Sequence, residues 1–144
     1  GQFLAVEKTA NRLAADLQDK LAMLKKAYLG QQKSLVYYMS ARPLLGLGSD
    51  PWLNDLLQLC GLNNLYANSL GAYPALQMAD IVRQNPDVII AAGKYSQAQV
   101  NAFWEVHKDV MTSKLIIADP DALHRFTPRS IDEIKLVCER AYQE

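Results

Sequence analysis

The chain carries no surplus of charge of either sign: lysine and arginine together number 15, and so do aspartate and glutamate. With no net positive field there is nothing to gather a phosphate backbone or an anionic bilayer over long range, which argues against nucleic-acid binding. Long apolar runs are also missing. Val88–Ala92 and Leu115–Ala118 fall far short of the ~20 residues that span a hydrocarbon core, so no membrane-crossing helix is expected. Histidine is scarce: His107 and His124 stand at no zinc-ligand spacing from each other or from the two cysteines, and no metal site is expected. No Gly-x-Ser-x-Gly elbow occurs. Gly46-Leu47-Gly48 lacks the third glycine of a dinucleotide fingerprint and runs into Asp50-Pro51. The opening residues, Gly1-Gln2-Phe3-Leu4-Ala5, show no export signal. A chain whose first feature is a long helix is expected to be part of something larger.

What is present reads as one α/β unit of 144 residues, half of them apolar, with no composition break, repeat or low-complexity tract. Leu13, Leu17, Leu21, Leu24 and Tyr28 form one apolar stripe. They predict an amphipathic helix from about Val6 to Leu29, stopped by Gly30 and on the order of 35 Å long. Leu35–Met39 reads as a strand and residues 40–49 as a loop. Asp50 is a plausible N-cap with Pro51 behind it, and Leu53, Leu56, Leu57 and Cys60 share one face up to Gly61. Residues 62–75 show little periodicity, and a helix is expected from about Gln77 to Gln84. Val88–Ala92 reads as a buried strand, Ser96 as the cap of a helix carrying Val100, Phe103 and Trp104, and Leu115–Ala118 as the next strand. Thr127, followed by Pro128, is expected to cap a last helix whose inner face holds Ile131, Ile134, Cys138 and Tyr142. Alternating strand and helix with continuous apolar strands predicts a mostly parallel sheet covered by helices on both faces. Binding groups would then sit on loops 40–51, 62–76, 93–96 and 119–127.

Several residues carry candidate chemistry. Tyr73, between Ala72 and Pro74, has no regular face to fill, so it is either a lid on the core or a platform for a flat ligand. Trp52 and Trp104 lie at helical spacing from apolar neighbours and read as core. The stretch Asp121–Arg129 sets His124, Arg125, Phe126 and Arg129 ahead of a helix start, where an amide, carboxylate or phosphate could be held; a plain solvated connection is the alternative. Cys60 and Cys138 both fall on inward faces, as buried free thiols or as a pair.

In this order the pieces resemble the C-terminal lobe of periplasmic substrate-binding proteins of the two-lobed, rigid-helix class that serve ABC importers of vitamin B12, siderophores and haem. The carrying residues are Leu56–Gly61 with Asn63-Asn64-Leu65-Tyr66, Tyr73-Pro74, Asn85-Pro86-Asp87-Val88-Ile89-Ile90, Trp104, and Thr127-Pro128-Arg129 followed by Leu136-Val137-Cys138. Within the class the pattern is most similar to cobalamin binders. The resemblance implies that Cys60 and Cys138 are joined, that residues 1–32 are an interlobe helix and 33–144 the C-terminal lobe, and that an N-terminal lobe with an export signal precedes them. It also implies a periplasmic location.

By the same resemblance, Tyr73 matches an aromatic that packs on the corrinoid. Leu45, Asp50, Leu123, His124, Arg125, Phe126 and Arg129 are the expected remaining ligand contacts. Two positions depart from the family: Ala122 stands where a tryptophan is expected, and Ala79 where a glutamate docks onto permease arginines, leaving Asp80 as the candidate docking residue. The implied function is binding of cobalamin between two lobes and delivery to an inner-membrane permease, with no catalysis and no cofactor. An iron-siderophore or haem ligand is the alternative within the family. Outside it, a small α/β hydrolase would use Ser40, Ser49 or Ser69 with His124 or His107.

Overall fold

A computed structural model describes residues 15–123 and 128–143. Helix α1 (Ala15–Ala27) precedes strand β1 (Lys33–Ala41), which turns through the cis peptide Arg42–Pro43 into β2 (Leu44–Gly46). Then come α2 (Pro51–Gln58), β3 (Leu62–Asn64), α3 (Met78–Gln84), β4 (Val88–Ala92), α4 (Gln97–Trp104) with a short 3-10 turn, β5 (Lys114–Ala118), α5 (Pro120–Leu123) and α6 (Pro128–Tyr142). β1 pairs in parallel with β4, from Leu35 opposite Val88 to Tyr38 opposite Ala91, and β4 pairs in parallel with β5. The other edge of β1 is shared, by β3 in parallel at Lys33–Leu35 and by β2 antiparallel from Tyr38 onward.

Strand side chains alternate between two buried faces, as period-two geometry requires. Leu35, Tyr37, Val88, Ile90 and Ala92 join Leu21 and Leu24 of α1, Leu53, Leu56 and Leu57 of α2, and Ile131, Ile134 and Val137 of α6. On the other face Val36, Tyr38, Ile89 and Ala91 meet Ile81 of α3 and Val100 and Trp104 of α4. This is the mostly parallel, doubly covered sheet that the pattern predicts. Trp104 lies in the core, and Ser96 caps α4 with a full capping box to Gln99.

The Asn-Pro-Asp motif has a local reason. Asn85 ends α3 in the left-handed conformation at φ 44° and its side chain accepts from Thr112 N, while Asp87 accepts from the backbone and hydroxyl of Ser34. One short turn thus sets β4 in register beside β1.

The helix expected over residues 6–29 is described only in part. It runs from Ala15 to Ala27 and is followed by Gly30 at φ 85°; its expected start lies outside the described residues, as does Thr127. Residues 40–49, expected as a loop, contain the end of β1 and all of β2, because these strands pair through backbone groups that carry no side-chain period. β3 escapes notice for the same reason.

Cys60 and Cys138 form a disulfide across 78 positions, both fully buried, tying the end of α2 to the middle of α6. The Tyr142 hydroxyl donates to the Cys60 carbonyl at 2.5 Å, and Lys33 Nζ donates to Ala141 O at 2.9 Å. On the far side of the sheet β5 is an edge strand. Its outward carbonyls at Leu115 and Ile117 accept from the Gln97 amide and the Arg140 guanidinium, at 3.2 and 3.0 Å.

One buried group runs against the core. Asp55 on α2 is fully enclosed, and neither carboxylate oxygen has a hydrogen-bond partner among the described residues. Burial penalises its charged form and pushes its pKa up to about 6.

Opening the Cys60–Cys138 bridge, or replacing both residues by alanine, is expected to lower the unfolding free energy by about 2–4 kcal/mol, measured by urea denaturation with and without reductant. Asp55 adds a pH signature. The folded state keeps its proton up to about pH 6, whereas the unfolded chain loses it near pH 4, so this contribution is full below pH 4 and falls as pH rises to 6. Asp55→Asn should raise stability at pH 7.5 by about 1–2 kcal/mol and remove that slope; equal denaturation midpoints for variant and parent at pH 4.5 and 7.5 would refute it.

Candidate functional site

The candidate site forms where β1 runs out at its C-terminal end. Residues 44–49 and the returning segment 71–76 lie antiparallel and bind through the backbone: Leu76 N to Leu44 O at 2.8 Å, Gly46 N to Pro74 O at 3.0 Å, Gly48 N to Ala72 O at 2.7 Å, and Ser49 N to Gly71 O at 3.1 Å. Leu45, half-buried, bridges to Ala75 within this ladder. Gly48 is required by the close approach. A Cβ there would fall 2.4 Å from Ser69 Oγ, 2.5 Å from Gly71 O and 2.7 Å from the Pro74 ring.

Two amides hold the ladder to the body of the protein. Asn54 is buried on α2 and donates to Gly48 O at 2.7 Å; Asn64, at the end of β3, donates to Leu47 O at 2.9 Å and to Asn54 Oδ1 at 3.0 Å. Asn64 Oδ1 in turn accepts from Tyr66 N. Each amide is thereby engaged on both sides, which a polar pair at this depth requires.

Asp50 and Tyr73 meet at the top of the ladder. Asp50 Oδ1 accepts from Leu53 N and caps α2, and Oδ2 accepts from the Tyr73 hydroxyl at 3.0 Å. Tyr73 is 46% exposed, so it stands at the surface and not as a lid over the core. Partial burial, and then the Asp50 carboxylate, raises its pKa, so the hydroxyl stays a donor at neutral pH. The Tyr37 hydroxyl is also pushed well up, by burial first and then by Tyr73, Glu133, Asp50 and Asp119.

The opposing rim follows β5. Asp119 N donates to Glu133 Oε2 at 3.0 Å, Asp119 Oδ1 accepts from Asp121 N, and Arg129 pairs with Asp119 Oδ2 at 3.3 Å. The Trp52 indole donates to Leu123 O at 3.1 Å, joining the start of α2 to the end of α5.

Of the expected ligand contacts, Tyr73, Asp50 and Leu45 lie together on one rim, and Arg129 is exposed beside Asp119. Leu123 differs: its side chain is fully buried in the core, so it supports the rim from below, and Ala122 beside it is buried as well. His124, Arg125 and Phe126 lie outside the described residues. Asp80 is on α3, where it accepts from Tyr66 Oη at 2.6 Å, from Gln84 Nε2 at 2.9 Å and from Arg83. The Tyr66 hydrogen bond is the leading cause of its lowered pKa. Ser49 Oγ is engaged with Gly71 O. No group of three or more His, Cys, Asp or Glu is placed to hold a metal among the described residues.

Sequence reasoning missed Gly48, Asn54 and Asn64. The one available signal is Asn54 itself, an amide set among Leu53, Leu56 and Leu57 on a helix that buries that side.

This sheet, with its rim at the strand ends, has the architecture of a periplasmic binding protein. The family's sequence profile matches residues 1–114, and the chain belongs to that family. Among relatives, the vitamin B12-binding protein of Vibrio cholerae serotype O1 is 24% identical over 139 residues, covering 94% of this chain and 50% of that protein. Its namesake in Salmonella paratyphi A is 26% identical over 136 residues, covering 93% and 50%. Among solved structures, the periplasmic vitamin B12 binding protein BtuF of Vibrio cholerae superposes with a TM-score of 0.77 at 25% identity, covering 90% of this chain and 53% of that one. The periplasmic heme binding protein HutB of the same organism shares the fold at a TM-score of 0.74 and 19% identity, over 94% and 57%. The chain spans about half the length of the curated relatives it matches.

Gly48→Ala is expected to force the 71–76 segment away and to cost about 1–3 kcal/mol. Denaturant unfolding measures the cost. Faster hydrogen exchange at the Gly46, Gly48 and Ser49 amides would locate the damage at the ladder, and parent-like exchange there would contradict it.

Proposed function

We propose that this chain is the C-terminal lobe of a periplasmic substrate-binding protein that takes cobalamin in a cleft shared with a second lobe and hands it unchanged to an inner-membrane ABC permease. The observation that carries the reading is Tyr73, a half-exposed aromatic at the C-terminal end of a doubly covered parallel sheet, where α/β folds place their ligands. Family membership and vitamin B12-binding relatives at about a quarter identity over nearly the whole chain support it.

Tyr73, Leu45 and Arg129, with the segment His124–Phe126, would supply apolar and polar contacts to a flat, amide-rimmed ligand. Residues 1–32 would link the lobes, and 33–144 would form the lobe itself. Leu21 and Leu24, packed into the same core as α2 and α6, would make that link rigid on this side. A permease would meet α3. There Asp80 would offer a carboxylate already oriented by Tyr66 and Gln84, and a basic group on the permease would replace Arg83 as its counter-ion.

A lone lobe offers one wall of the cleft, so much of the ligand's buried surface is lost to it. Titration with cyanocobalamin, followed by corrin absorbance, should give binding at least about a hundredfold weaker for the 144-residue chain than for the full-length protein. Equal affinities would overturn the shared cleft. Tight haem binding by the full-length protein, with no response to cyanocobalamin, would select the haem-binding alternative.

A further inference from the structure

Resting on that reading of the rim, we infer that Asp50 is a positioning residue for the ligand platform: it locks the Tyr73 ring to helix α2 and does not itself contact the ligand. Both carboxylate oxygens are committed inside the protein, Oδ1 to Leu53 N at 3.3 Å and Oδ2 to the Tyr73 hydroxyl at 3.0 Å. The same side chain therefore caps a helix and holds an aromatic 23 positions further along.

The ring is fixed at both ends. On the backbone side, the carbonyls flanking Tyr73 are held, Ala72 O by Gly48 N at 2.7 Å and Pro74 O by Gly46 N at 3.0 Å. At the tip, the hydroxyl is held by Asp50. A tyrosine has only two side-chain torsions, and pinning both termini leaves the ring little freedom beyond flipping about its own axis. The anchor is itself rigid, because α2 carries Leu53, Leu56 and Leu57 in the core and is followed by Cys60, bonded to Cys138. The phenol is essential to this arrangement, since an aromatic without a hydroxyl in the same place offers Asp50 no donor at that point.

A flat ligand stacking on a ring already held in place does not have to immobilise it, and preorganisation of one side chain is worth about three- to tenfold in affinity. The test is a double-mutant cycle in the full-length protein with cyanocobalamin as the probe. Asp50→Ser keeps a good helix cap but is too short to reach Tyr73; Tyr73→Phe keeps the ring and removes the hydroxyl. Each single variant is expected to weaken binding about three- to tenfold with a melting temperature within about 2 °C of the parent. The double variant should be no weaker than either single, because both remove one interaction.

Parent-like affinity in either single variant overturns the proposal, as does a double variant whose losses multiply, which would mean that Asp50 touches the ligand on its own account. Tyr73→Ala separates this failure from failure of the site. A large loss there beside unchanged binding in Tyr73→Phe sinks the positioning role and keeps the rim. No loss in Tyr73→Ala removes the rim and the positioning role together. Should Asp50→Ser fold poorly, parent-like binding by Tyr73→Phe still decides against the proposal.

Discussion

Asn54 and Asn64 supply the donors for the Leu47 and Gly48 carbonyls, and the shape of the rim follows from that supply. Both carbonyls lie where the chain leaves β2 and drops toward α2, at residues shielded from water. An apolar substitute at Asn54 would leave the Gly48 carbonyl the long 3.4 Å contact from Asn64 Nδ2 in place of a 2.7 Å bond, and a poorly served buried acceptor costs more than the net worth of the bond that is lost. Because Asn64 also donates to Asn54, the two amides act as one unit joining α2, β3 and the descending loop. The ladder to residues 71–76, the close approach at Gly48 and the perch of Tyr73 all depend on the height at which this unit holds the chain.

The rest of the molecule makes that position durable. Each sheet face has its own apolar cluster, so a strand cannot slip by one residue without carrying the side chains fitted to one cluster into the other. The disulfide and the Tyr142 hydrogen bond to Cys60 O fasten the end of α2 to the last helix. The segment from Asp50 to Cys60 is therefore tethered at both ends, by the rim at its start and by a covalent bond at its finish. A relative that shares only about a quarter of its residues with this chain can still superpose on it, because a fold of this kind constrains which positions are apolar and where the backbone is bound more than it constrains particular residues.

Those constraints also explain what a reader of the sequence can and cannot see. The helices α2 and α4 announce themselves through Asp50-Pro51 and Ser96 with apolar spacing behind them, and β4 through an unbroken run of small and branched side chains. The pairing of Cys60 with Cys138 follows from resemblance, since burial alone is equally consistent with two thiols. The contact between residues 44–49 and 71–76 is illegible because it is made by main-chain groups, which every residue carries. Leu123 stands elsewhere than its local pattern suggests. A leucine in a loop beside an expected ligand reads as a contact, but the short turn of α5 directs it into the core, and its carbonyl, not its side chain, reaches the rim through Trp52. Asp50 was legible as a helix cap; its second oxygen has no counterpart in any local pattern.

The carbonyls on the open side of β5 are already matched, Leu115 by Gln97 and Ile117 by Arg140. A neighbouring strand approaching from that side would have to displace two fitted side chains before gaining any bond of its own. The open flank of β5 is therefore a poor template for splicing on a further strand.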